Sequence, residues 1–147
     1  MNVELKIDKN IKENKVVIYA SEANAEITDL VNKLQNYSMN KTIVGQLEGK
    51  NYLLDRDEIE CFYSEESKIL ARANNKVYKV KYRLRELEEL LENTTFIRIS
   101  KYEIANFNKV ESLDINANAL ICLKYKSGEI TYVSRRNVKK IKEYLGI

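Results

Sequence analysis

"LKYKSGEITYVSRRNVKKIKEYL", residues 123–145, decides how this chain is read. A strand over 119–125 alternates apolar and polar residues, Lys126-Ser127-Gly128 supplies a tight hairpin turn, and 129–133 returns. Ser134 then stands where a helix N-cap belongs, with Val138, Ile141 and Leu145 recurring at helical spacing behind it. Arg135, Arg136, Lys139 and Lys140 crowd that helix start. The helix dipole favours acids there by roughly 0.3–1 kcal/mol per site. Arginines against that preference point to a compensating anion from outside, with free first-turn N–H groups to help bind it. A solvated Arg pair is the plain alternative.

Working outward, the same strand-and-turn rhythm fills the second part of the chain. Strands are expected at 59–63, 68–73 and 76–82, with Asn74-Asn75 as a turn because Asn tolerates left-handed backbone angles. A helix over 84–92 carries Leu84, Leu87, Leu90 and Leu91 as its apolar stripe and acids outside. Then come a strand at 96–100, a run over 104–115 that enters through an irregular turn, and a turn at 116–118. Before all this, Val3, Leu5 and Ile7 alternate as a strand, 16–20 reads as a second, and Ser21 caps a helix over 22–36. Short strands are expected at 42–47 and 51–54. The fold class is strand-dominated α+β with three short helices, and a boundary near residue 48 divides an extension, 1–47, from a hairpin-rich domain, 48–147.

Composition narrows the chemistry. At 147 residues and 44 % apolar content, the chain suits one domain with an appendage. Histidine is absent, which removes His-based catalysis and the commonest metal ligand. No CxxC pair exists, the four glycines are scattered, and no catalytic residue, metal site or cofactor is expected. Asp55, Asp57, Glu58 and Glu60 read as a solvated turn rather than an enzyme's carboxylate site. Cys61 and Cys122 sit in strand-like runs and read as buried free thiols of a cytoplasmic protein, since the start has no apolar signal region and no stretch is long enough to span a membrane.

Charge is unevenly placed. Residues 1–93 hold 15 Lys+Arg against 17 Asp+Glu, whereas 94–147 hold 10 against 5. Residues 68–85 contain seven basic side chains and no acid; 124–142 contain seven against Glu129 alone. Two basic tracts in a nearly neutral protein suit a polyanion. Lys79 and Lys81 share one strand face, opposite Tyr78, Val80 and Tyr82. That face is either a lysine-protected edge or a phosphate-binding surface. Arg98, Ser100 and Lys101 end a strand and enter a turn.

Taken together, "FIRISKYEIANFNKVESL" (96–113) and the opening stretch resemble the LytTR family of bacterial DNA-binding domains, the effector domain of LytR/AlgR/AgrA-type response regulators. The matching residues are Phe96, Arg98, Ser100-Lys101, Ile104-Ala105-Asn106, Val110, Gly128 and Ser134-Arg135-Arg136, and the resemblance covers about 48–147. It implies a mostly β domain that puts loops, not a recognition helix, into successive major grooves of double-stranded DNA. Base contacts would come from Ser67, Lys68, Lys101, Arg135 and Arg136. Phosphates would be held by Lys79, Lys81, Arg98, Ser100, Ser134, Asn137, Lys139 and Lys140. The chain departs from the pattern at Tyr102, where a small Ser is frequent, and in having no histidine in the first loop. With only about 48 residues ahead of the match, it reads as a free-standing member, binding two half-sites as a homodimer. A protein–protein module serving a membrane sensor, presenting Glu86, Glu88, Glu89 and Glu92, is the alternative; no small-molecule substrate is evident.

Overall fold

The computed structural model describes residues 1–39, 42–116, 118 and 120–147. Ala117 in the expected turn and Ala119 at the expected strand start lie outside the described residues. The chain divides into two compact units, residues 1–39 and 40–147.

In the first unit, residues 1–24 form neither helix nor strand, contrary to the strands expected at 3–7 and 16–20. The reason is physical: alternation makes a strand only where a partner supplies the ladder of hydrogen bonds. Val3, Leu5, Ile7 and Tyr19 remain exposed. The helix, α1, runs Ala25–Met39, three residues later than expected, because Asn24 rather than Ser21 caps it. The Asn24 side-chain oxygen accepts a 2.9 Å bond from Ile27 N–H.

The second unit is built on a seven-stranded antiparallel sheet and a three-stranded one. The first contains β1 (Thr42–Leu47), β2 (Lys50–Asp55), β3 (Ile59–Glu65), β4 (Lys68–Ala73), β5 (Lys76–Val80), β6 (Phe96–Ser100) and β7 (Glu103–Asn106). Its spatial order is β2-β1-β5-β4-β3-β7-β6. So β1 is a strand of the main sheet, paired with β2 and β5. Gly45 is needed in it because an added Cβ would stand 2.7 Å from Leu54 Cδ1 and Tyr78 Cβ. The second sheet orders β10 (Ile130–Val133), β9 (Ile121–Tyr125) and β8 (Val110–Ile115).

The run expected over 104–115 is broken by a 3-10 turn, Phe107–Lys109, so β7 and β8 belong to different sheets. Asn106 makes this corner. Buried, it donates to Ile59 O at 2.8 Å and accepts from Thr95 Oγ1 at 2.7 Å and from Asn108 N–H at 3.1 Å. A buried side chain satisfied this fully fixes where the chain leaves one sheet for the other.

Two cores follow from strand alternation. One face of the large sheet places Ile43, Phe62, Tyr78 and Ile104 against Leu84, Leu87 and Leu91 of and just after α2 (Leu84–Leu90). The other places Cys61, Ile97, Ile99 and Ala105 with Ile121, Leu123, Tyr125 and Val133 of the small sheet and Ile141 of α3 (Val138–Leu145). Each fully buried large side chain contributes about 1.5–3 kcal/mol. Cys61 is buried and its thiol is pushed up by burial, whereas Cys122 is only half-buried.

Candidate nucleic-acid interface

Strand direction brings the basic loops together. β3 and β6 both pair antiparallel with β7, so they run the same way and end at the same margin of the sheet. The β3–β4 turn at Glu66-Ser67 and the β6–β7 turn at Lys101-Tyr102 therefore lie at that margin. β5, antiparallel to β4, brings Lys81 there too, one residue past the Ile69–Val80 pair. Two backbone bonds join the loops. Ser64 N–H donates to Tyr102 O and Ser134 N–H donates to Ile99 O, both at 2.8 Å. Residues from four distant parts of the sequence thus share one end of the unit.

The local backbone of these loops is unusual. Glu66 and Ser67 both adopt left-handed angles, φ 49° and 63°, without the Gly or Asn that such a two-residue turn favours. Asn74-Asn75, at the opposite end of β4, uses the same angles with favourable residues, φ 52° and 61°. In β6 the register shifts between Arg98 and Ser100, a bulge that re-aims the residues entering the turn. Ser100 Oγ accepts from Tyr102 N–H at 3.2 Å, and the Lys101 ammonium lies 5.8 Å from the exposed Tyr102 ring.

Helix α3 begins later than expected. Arg135–Asn137 form a 3-10 turn, and the α-helix starts at Val138. Ser134 makes no side-chain cap; its Oγ accepts a 2.7 Å bond from Asn137 Nδ2. Arg135, Arg136 and Lys139 are exposed, as are Lys68, Lys79, Lys81 and Lys101, and among the described residues none of these seven has an ion pair. An exposed cation outside any ion pair can meet a phosphate without breaking one.

Arg98 is different. The guanidinium expected to face a phosphate is already engaged: Nε donates to Ser100 O and Nη2 to Lys101 O, both at 2.7 Å, and Nη1 to Glu88 Oε2 at 3.1 Å. Lys140 Nζ lies 3.9 Å from Glu88 Oε1. Ser100, Ser134 and Asn137 are half-buried and bonded within the loops. Sequence reasoning missed Glu88, which it placed on an outward acidic face; α2 turns that carboxylate toward β6 and α3.

The acidic cluster is not a solvated turn throughout. Asp55 accepts from Asp57 N–H, Glu58 from Asn74 Nδ2, and buried Glu60 pairs with Arg72. The Glu58 and Glu60 bonds, but not that of Asp55, belong to a cleft of about 240 Å³ at the far end of the sheet, lined also by Lys109 and Lys126. Among the described residues no group of His, Cys, Asp and Glu could hold a metal, and no helix is long and apolar enough to cross a membrane.

A cationic margin built from loops of an antiparallel body is the layout of a β-built nucleic-acid-binding domain. The LytTr DNA-binding domain family matches residues 49–146. An uncharacterized HTH-type transcriptional regulator of Staphylococcus aureus strain NCTC 8325 is 33 % identical over 147 residues, all of this chain and 99 % of the relative. Its counterpart in strain COL matches to the same extent. A solved LytTr DNA-binding domain from Bacillus cereus superposes with a TM-score of 0.70 at 20 % identity, covering 74 % of this chain and 99 % of that one. The chain belongs to the LytTr DNA-binding domain family and is a DNA-binding transcription regulator. Among the described residues, helices α1, α2 and α3 are each separated from the next by strands, so the helix–turn–helix in the relatives' names is not found there.

Proposed function

We propose that the protein recognises a specific duplex sequence by placing the Glu66–Lys68, Ser100–Tyr102 and Ser134–Arg136 loops in successive major grooves. The carrying observation is that these loops, distant in sequence, share one margin and are tied by the Ser64–Tyr102 and Ser134–Ile99 bonds. Lys101 and Arg136 are the leading base readers, with Arg135, Ser67 and Lys68 beside them. Arg136 has the fork geometry that a guanine edge accepts, a contact that discriminates by roughly 1–3 kcal/mol. Lys79, Lys81 and Lys139 hold phosphates, each adding about 0.9 to the salt slope. Selection of bound duplexes from a random pool tests the reading: one enriched sequence with two major-groove contacts supports it, and binding without enrichment contradicts it.

Further parts of this reading are a non-catalytic protein acting in the cytoplasm, with the extension ending at the 39/40 division rather than at residue 47, since β1 pairs within the main sheet, and two copies occupying two half-sites. Pairing raises effective concentration without new DNA contacts. The exposed Val3, Leu5, Ile7 and Tyr19 favour a second contact, with a protein partner such as a membrane sensor. Removing residues 1–24 should leave duplex binding by the purified protein intact and abolish any partner's effect on it.

A further inference from the structure

Glu88 joins two cations from different elements. One carboxylate oxygen takes Arg98 of β6 and the other takes Lys140 of α3, at 3.1 and 3.9 Å. The two contacts differ in kind. Arg98 has a side chain 19 % exposed, and all three of its nitrogens are committed, two of them to the carbonyls of Ser100 and Lys101. A rigid planar fork bonded this way fixes the direction of the turn that carries Lys101. Glu88 neutralises the guanidinium and sets its orientation from behind. Lys140, by contrast, is 52 % exposed and meets a 43 % exposed carboxylate at a long distance. Water screens such a pair, and a duplex phosphate can replace it.

We propose that Glu88 is a positioning residue for DNA recognition. It steadies the Ser100–Lys101 turn through Arg98, and it restrains Lys140 until a phosphate competes for it. The proposal rests on the DNA reading above. Its consequence is a bias toward the correct sequence: only a duplex that also engages the steadied turn gains enough to draw Lys140 away.

The test measures affinity for the selected duplex and for a random duplex, alongside thermal melting, in wild type, Glu88→Gln, Arg98→Lys and Glu88→Gln/Lys140→Gln. Glu88→Gln should tighten random-duplex binding about two- to fivefold, the worth of a surface ion pair. It should also lower the selected-to-random ratio roughly tenfold, the scale of one lost base contact. The double variant should lose the tightening and keep the lower ratio. Arg98→Lys should lower the ratio alone, and it carries the test if Glu88→Gln melts below the assay temperature. Unchanged ratio and random affinity, or a proportional weakening for both duplexes, would overturn the role while leaving the DNA reading standing. Wild type that prefers no duplex would remove both.

Discussion

The backbone N–H of Ser64 donates a 2.8 Å hydrogen bond to the carbonyl of Tyr102, joining the end of β3 to the β6–β7 turn. That bond ties together two loops far apart in sequence, and the Ser134–Ile99 bond ties the start of the last helical segment to the same strand end.

Base reading and phosphate holding should separate by mutation. Arg136→Ala should flatten preference at one or two operator positions, costing roughly 1–3 kcal/mol there and little on random DNA. Lys139→Ala should weaken every duplex alike and reduce the salt slope by about 0.9. Competition titrations across salt concentrations check both.

The strained first loop should trade stability for recognition. Asn-Gly in place of Glu66-Ser67 suits the left-handed angles and should raise unfolding free energy by about 1 kcal/mol in urea titrations. The same variant should lose discrimination, since it removes the Ser67 contact. Unchanged discrimination would take the first loop out of the interface.

The close approach at Gly45 should not tolerate a methyl group. Gly45→Ala drives a Cβ against Leu54 and Tyr78 and should destabilise the large sheet by roughly 1–3 kcal/mol, read from urea midpoints. Sequence preference of the folded fraction should hold, because β1 pairs with β2 and with β5 at Lys79 and not with the Glu66–Lys68, Ser100–Tyr102 or Ser134–Arg136 loops.

Stability should depend on pH through Glu103. Burial pushes its carboxyl up, opposed by hydrogen bonds from Tyr125 and Thr131 and by the Arg72 charge. The folded state therefore binds the proton more tightly than the unfolded chain. Stability is undiminished below the ordinary value of 4.5 and declines as pH rises from there through the folded value. Glu103→Gln should flatten that decline above pH 4.5, measured by urea unfolding at each pH.

Much of this was legible in the sequence, and the exceptions share a cause. The hairpins declared themselves through local signals: alternation in 68–73 and 76–80, left-handed angles at Asn74-Asn75, and Gly128 with φ 97° in the β9–β10 turn. The strands expected at 3–7 and 16–20 failed because alternation cannot say whether a partner exists. The helix start after Ser134 failed for a similar reason: Asn137 took the hydroxyl that an α-helical cap would have used. Glu60 and Glu88 looked like solvent-facing acids because Arg72, Arg98 and Lys140 are not their neighbours along the chain. The order of the basic loops along one margin depends on β3 and β6 running parallel around β7, and no local pattern encodes that.

The most direct measurement is the change in amide NMR shifts on adding the selected duplex at physiological salt. The account predicts large shifts at Ser67, Lys101 and Arg136 together, with Asn74, Asn75 and Ser127 at the opposite end nearly unmoved. Shifts concentrated around Asn74-Asn75 and Ser127, or confined to a single one of the three loops, would contradict it.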